Sequence, residues 1–218
     1  NGTPEWVHVH HVVGSSEDIT YPIVDDTPTL VWLANLAALE LHTHQWLAVP
    51  VSRQTTIDDG HPRDQLVIDL DPGQGVEMPL IATAALIISG ELADAGLTPF
   101  VKTSGSKGLQ LYAPLEPTPA GTLVPWVRTF GEKLVELHPE LFVTEIAKAA
   151  RAGKILVDGN QNLPGRTTAC AHSLRAKAEP TASTPLTWDE VEAATEGATL
   201  TFTSADVLAR VERQGDLF

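Results

Sequence analysis

Asp69 and Asp71 follow the apolar run Leu66-Val67-Ile68, and residues two apart in a strand point to the same face. Two carboxylates so placed can share a pair of hard cations, which two-metal sites hold roughly 3.5–4 Å apart. They could equally be two solvated acids at a strand end, where Pro72-Gly73 turns the chain. A lone Asp-x-Asp leaves both readings open. Asp158 ends a second apolar strand, Lys154–Val157, and is either a turn-former or a third ligand. Ions that carry substrate phosphates need few protein carboxylates, because phosphates and water complete the shell. Between two strands, Thr103-Ser104-Gly105-Ser106-Lys107-Gly108 offers two serine hydroxyls, two glycines and a lysine. Such a loop can bring backbone N–H groups and a positive charge to an anion. Its spacing is not that of a Walker loop, and a plain hairpin loop has the same composition.

The charge distribution is uneven. The net charge of −14 argues against nonspecific binding to nucleic acid. Yet Lys148, Arg151, Lys154, Arg166, Arg175 and Lys177 surround the single acid Asp158 in a basic island. That pattern fits a local anion site or a chance residue of a generally acidic surface. His42 and His44 read first as histidines at a helix C-terminus. His8, His10 and His11 lack a carboxylate or cysteine partner at ligand spacing. Cys170 is the one cysteine, which excludes a disulfide framework or a cysteine-based metal site and makes a reducing, cytosolic compartment the default. The longest apolar stretch, 79–89, is too short to span a bilayer, so no membrane partner is expected.

Strands and helices that would position these groups are interspersed along the chain, as in a mixed α/β or α+β single domain. Thr27 as N-cap and Pro28 at N1 open a predicted helix with Leu30, Leu33, Ala34, Ala37, Ala38 and Leu41 on one face. Strands are predicted at Trp46–Val51, Leu66–Ile68, Pro99–Lys102, Leu109–Ala113, Lys154–Asp158 and Thr167–Ala171, with a polar loop over Ser52–Asp64. Helices are predicted at Pro79–Ala95, closed by Gly96, and at 123–137 and 144–151. Thr187-Trp188-Asp189-Glu190 is a capping box, and Ser204 caps the last helix. Trp32, Trp46 and Trp126 are assigned to the core.

Taken in order, the segments Tyr-Pro-Ile-Val-Asp-Asp (21–26), Leu-Ala-Ala-Leu-Glu-Leu-His (36–42), Val-Ile-Asp-Leu-Asp-Pro-Gly (67–73) and Lys-Thr-Ser-Gly-Ser-Lys-Gly-Leu (102–109) resemble one family. So do Arg-Ala-Gly-Lys-Ile-Leu-Val-Asp (151–158), Gln-Asn (161–162), Thr-Thr (167–168), Ser-Leu-Arg (173–175) and Thr-Pro-Leu-Thr-Trp (184–188). It is the polymerase domain of the bacterial non-homologous end-joining DNA ligase, in the archaeo-eukaryotic primase superfamily. The resemblance implies a primase-polymerase core with a mixed, largely antiparallel sheet flanked by helices, across residues 1–218. It implies nucleotidyl transfer from nucleoside triphosphates to DNA ends or a primer-template, with Mn²⁺ or Mg²⁺, two ions expected, and a ribonucleotide preference. A ligase and an end-binding protein would be partners, in a nucleoid-associated cytoplasmic setting. By carry-over, Asp69, Asp71 and Asp158 are metal ligands, and Ser104, Lys107 and Arg175 hold the triphosphate. His42 lies beside its sugar and phosphates, with Arg151 and Gln161 at active-site positions.

Three departures from the family pattern stand out. Gln110, which the resemblance places among the substrate-binding residues beside the triphosphate, replaces a histidine; it can donate a hydrogen bond but cannot carry positive charge. Gly159 replaces a tryptophan. The resemblance also begins inside the family's domain, without its N-terminal part, so the domain is expected to be N-terminally incomplete. These departures favour a rival expectation, a catalytically weak or inactive nucleotide- or DNA-end-binding module of the same fold. Retention of three acids with Lys107 and Arg175 favours the enzyme. An Asp-x-Asp sugar-nucleotide transferase is the third reading, which the downstream segments disfavour.

Overall fold

The computed structural model describes residues 2–13, 18–46, 55–56 and 61–218. The predicted strand over 47–51, and the predicted loop up to residue 60 except for 55–56, lie outside them. The chain begins with β1 (Val9–Val13), β2 (Ile19–Pro22), α1 (Thr27–Asn35), β3 (His42–His44) and β4 (Thr55–Thr56). Then come β5 (Arg63–Pro72), α2 (Met78–Asp94), β6 (Phe100–Thr103), β7 (Leu109–Thr118), α3 (Ala120–Leu137), β8 (Phe142–Val143) and β9 (Ile155–Asp158). The last elements are β10 (Thr167–Ala169), β11 (Leu174–Arg175), β12 (Thr181–Ala182), β13 (Pro185–Leu186), α4 (Trp188–Thr195) and α5 (Ser204–Gln214).

Six strands form the central sheet in the order β13-β6-β7-β5-β9-β8. Only β8 and β9 run parallel; the other neighbours are antiparallel. The expected mixed, largely antiparallel sheet flanked by helices is what forms. Strand alternation divides it into two faces. Leu66, Ile68 and Leu70 of β5, Leu109, Leu111 and Ala113 of β7, and Ile155 and Val157 of β9 enter one core cluster. Helix α2 meets them with Ile81, Ala84, Ala85, Ile88 and Leu92, and α3 with Leu123, Val127, Phe130 and Leu134. Both sets recur every three or four residues, the spacing of one helical face. The opposite face carries Asp69, Asp71, Gln110, Lys102 and Asp158.

Several local expectations change. Helix α1 is capped by the Asp26 carboxylate, which accepts from the Thr29 N–H at 2.8 Å, not by Thr27. It stops at Asn35 because only Thr29 and Leu33 are buried, too narrow a stripe to extend a helix by packing. Ala37 then takes a positive φ of 59°, so Ala37, Ala38 and Leu41 leave the helix. His42 thus begins a strand, β3, paired with β10, and is not a helix-end histidine. The predicted helix over 144–151 is only a 3-10 turn at Lys148–Arg151, since Ile146 is exposed and offers no apolar face. Thr203, not Ser204, caps α5, in a capping box with Asp206. Trp126 lies exposed, stacked on Phe130, and Trp46 is half-buried between His44 and His61.

Gly73 is where the β5 end meets the start of β9. Its N–H donates to the Lys154 carbonyl at 2.9 Å, and an added Cβ would lie 1.6 Å from the Arg151 carbonyl oxygen. Gly90, inside α2, has nothing within 4 Å of such a Cβ. Denaturant melts should therefore show opposite signs. Gly73→Ala is expected to lose about 1–3 kcal/mol, whereas Gly90→Ala gains roughly 0.5–1 kcal/mol.

Candidate active site

One row of side chains crosses four strands of the polar face. Lys102 of β6 pairs with Gln110 of β7, Gln110 with Asp69 of β5, and Asp69 with Asp158 of β9. Residues directly opposite in a ladder share a face, with Cβ atoms about 4.5–5.5 Å apart. Asp71, two residues along β5, joins the same face. Two acids distant in sequence from a third thus become neighbours through register alone.

Burial, and behind it mutual repulsion, raises the proton affinity of Asp69 and Asp71. Burial pushes the Asp69 carboxyl up to about 7, and the charges of Asp71 and Asp158 add to it against a hydrogen bond from Gln110. Asp71 is raised for the same two reasons, burial first and then Asp158, while Arg151 opposes the shift. Arg151 Nη1 stands 3.9 Å from Asp71 Oδ2. Gln161 Nε2 reaches Asp69 Oδ2 at a long 3.5 Å, and Asp158 Oδ1 accepts from the Asn160 N–H at 2.8 Å. Among the described residues no three acidic, histidine or cysteine side chains already encircle one point as a metal shell. The triad is a shared carboxylate face, not a preformed cage.

Sequence reasoning left Lys102 without a role. Its ammonium is buried and donates to Gln110 Oε1 at 2.6 Å and Ser183 Oγ at 2.7 Å. Burial pulls it down to about 7 against the Asp69 charge. An ammonium only donates, so the Gln110 oxygen must face Lys102, and the Gln110 NH₂ is left for Asp69. Tyr112 Oη lies 3.2 Å from the same oxygen and 2.9 Å from Thr168 Oγ1. The one signal available was a lysine directly after Phe100-Val101 in a short strand. Gly159 leaves room that Val127 takes: a Cβ there would come within 2.4 Å of Val127 Cγ1.

The loop after β6 sits against the end of β5, where a Cβ on Gly108 would lie 2.2 Å from the Leu70 carbonyl oxygen. Ser104 Oγ accepts from the Ser106 and Gly108 N–H groups, each at 3.2 Å, which closes the loop and leaves the hydroxyl proton to donate. Lys107 is exposed and has no ion pair among the described residues. Arg175 Nη1 donates to the Ser104 carbonyl at 2.8 Å, and its Nε stands 3.3 Å from Glu40 Oε1. The same Glu40 oxygen lies 2.9 Å from His42 Nε2. Ser104, Arg175 and His42 are therefore one cluster, and Glu40, which the sequence reading passed over, joins it. Elsewhere in the basic island, Lys154 Nζ turns away to the Pro139 carbonyl at 2.7 Å. The N-terminal histidines also diverge: His8 meets Asp25, His11 meets Thr20, and buried His10 meets His61.

A family model described as the LigD primase-polymerase domain matches residues 1–218. The multifunctional non-homologous end joining DNA repair protein LigD of Mycobacterium tuberculosis H37Rv is 39% identical over 215 residues, covering 98% of this chain and 28% of that protein. The Mycolicibacterium smegmatis protein of similar name is 36% identical over 218 residues, 100% of this chain and 27% of that one. The bifunctional LigD of Bacillus subtilis is 35% identical over 206 residues, 93% and 31% of the two chains. This chain thus spans less than a third of the length of these relatives. A solved structure, the polymerase domain of M. tuberculosis Ligase D in complex with DNA, superposes with a TM-score of 0.90 at 39% identity. The match covers 98% of this chain and 74% of that one.

The buried row has a pH signature in the absence of divalent metal. Asp69 has a folded value of about 7 against an ordinary 3.8. Through that window the folded chain keeps a proton that the unfolded chain has released, so stability falls as pH rises. Lys102 acts above it: about 7 folded against 10.5 unfolded means stability recovers as pH rises past 7. Melting in chelator should show a minimum near neutrality, and Asp69→Asn should remove most of the falling limb, a gain of a few kcal/mol at pH 7. Parallel Tm curves for the two proteins between pH 4.5 and 7 would contradict the shift.

Proposed function

The chain belongs to the LigD primase-polymerase domain family, and we propose that it adds nucleotides from nucleoside triphosphates to a DNA 3′ end during end joining. The observation that carries the reading is the register placing Asp69, Asp71 and Asp158 on one face beside the loop of Ser104 and Lys107. The donor set suits Mn²⁺ or Mg²⁺: the oxygens are hard, and a divalent cation would offset both the burial that chiefly raises Asp69 and the repulsion from Asp71 and Asp158 that adds to it. Asp69, Asp71 and Asp158 would hold two such ions. When bound, they lower the pKa of the primer 3′-hydroxyl and neutralise charge on the leaving pyrophosphate.

The protein's own groups do the rest. Ser104, Lys107 and Arg175 would bind the triphosphate from the loop side, and His42 would lie beside the sugar and phosphates. Gln161 and Arg151 brace Asp69 and Asp71. Gln110, held by Lys102, keeps an N–H on Asp69. DNA comes to this chain by analogy with the DNA-bound M. tuberculosis polymerase domain. A ribonucleotide preference, a ligase and an end-binding protein as partners, and a place at the nucleoid are part of the same proposal. No helix among the described residues is long and apolar enough to cross a membrane.

A weaker second reading, a nucleotide- or end-binding module, is favoured by Gln110, whose neutral amide takes the place of a chargeable imidazole. Primer extension with Mn²⁺, read beside binding of a non-hydrolysable triphosphate, separates the two. Lys107→Ala and Arg175→Ala are each expected to cost about 1.5–3 kcal/mol of nucleotide binding with little change in Tm. Asp71→Ala and Asp158→Ala should abolish extension while the fold persists. Nucleotide binding by the wild-type chain without any extension on any primed end would replace the enzyme by the module.

A further inference from the structure

A carboxylate beside a triphosphate is a repulsion unless its charge is engaged by cations or N–H donors, and Glu40 is such a carboxylate. Its Oε1 stands 2.9 Å from His42 Nε2 and 3.3 Å from Arg175 Nε, and its Oε2 accepts from the Ala176 N–H at 2.8 Å. The His42 hydrogen bond is the chief cause holding the Glu40 carboxyl below its ordinary range. The neighbouring backbone is tied down as well. The Leu41 N–H donates to Ser173 Oγ at 2.8 Å, and the Leu41 carbonyl accepts from the Cys170 N–H at 2.9 Å. Glu40 is therefore held by two donors, His42 Nε2 and the Ala176 N–H, with the Arg175 guanidinium as an ion-pair partner whose Nε makes no hydrogen bond.

From this geometry we infer that Glu40 is the positioning residue of the nucleotide pocket, acting through His42 and Arg175; the inference rests on the reading that those two face the nucleotide. A carboxylate only accepts, so the imidazole must carry its proton on Nε2 toward Glu40. His42 Nδ1, without a protein partner among the described residues, is then the atom presented to a ligand. For Arg175, the Nε edge faces Glu40 and one Nη1 proton is taken by the Ser104 carbonyl. That leaves Nη2 and the outer Nη1 proton as the fork for a phosphate. Glu40 thereby decides which edge of each side chain meets the ligand. Glutamine cannot replace it. Its NH₂ would face either the Arg175 N–H or the Ala176 N–H, and neither can become an acceptor.

A double-mutant cycle tests this, read as the Kd of a non-hydrolysable nucleoside triphosphate with Mn²⁺. Glu40→Ala and Glu40→Gln are both expected to weaken binding about ten-fold, with the nucleotide KM rising more than kcat falls. In a His42→Ala/Arg175→Ala background the Glu40 substitutions should have almost no further effect, because the groups they position are gone. Should Glu40→Ala unfold the chain, Glu40→Gln, which keeps the volume, supplies the cycle. A Glu40 effect that persists in full in that background, or no effect in the wild type, overturns the inference. If His42→Ala and Arg175→Ala themselves leave nucleotide affinity unchanged, it is the nucleotide pocket that fails.

Discussion

Asp69 is forced into a partly buried row, with a second carboxylate two residues along its own strand and a third directly across the ladder. Most of the architecture follows from making that confinement tolerable. The reverse face of the same strand must be strongly apolar, because only the packing of Leu66, Ile68 and Leu70 against α2 and α3 can offset the repulsion in front. The lateral neighbours must supply donors, which Gln110 does directly and Lys102 does through Gln110. The β5 end must also turn sharply without side-chain bulk, which Gly73 allows against the Arg151 carbonyl. A divalent ion is the natural counterpart of such a face. It supplies positive charge without a donor geometry that the three acids would have to satisfy individually.

The two polar clusters differ in kind. The row across the sheet has its members held by backbone register. The cluster of Glu40, His42, Ser104 and Arg175 is instead assembled from loops and short strands. It is held by side-chain bonds from Glu40 to Ala176 and from Arg175 to the Ser104 carbonyl. A nucleotide bridging them would have its reacting phosphate over the row and its recognition elements over the cluster. Backbone register suits groups that stabilise charge, because that task needs preorganised geometry.

Local sequence signals made Asp69 and Asp71 legible, because an extended backbone alternates its side chains with a period of two. The two share a face once that segment is a strand, and the glycines of the 103–108 loop announce a close backbone approach. Asp158 was accessible only as the end of an apolar run, since its pairing with Asp69 is tertiary. Lys102 was hidden for the opposite reason. A lysine in a short strand ordinarily reads as solvent-facing, and its burial depends on Ser183 and Gln110 from distant segments. The stretch after Asn35 misled the periodicity. Alanines and leucines there keep a helical spacing, but Leu30 on that face is exposed and only Leu33 of it is buried, too little packing to carry the helix further. The resulting turn is what delivers Glu40 and His42 to Arg175 and the Ser104 loop.

The central claim is that these three carboxylates converge on divalent cations. The direct measurement is anomalous scattering at the manganese edge from crystals grown with Mn²⁺ and a non-hydrolysable nucleoside triphosphate. The account predicts Mn²⁺ peaks bridging Asp69, Asp71 and Asp158, with the triphosphate completing their shells from the side of Ser104, Lys107 and Arg175. Peaks elsewhere on the chain, with the three carboxylates left facing solvent and the triphosphate away from the 103–108 loop, would contradict it.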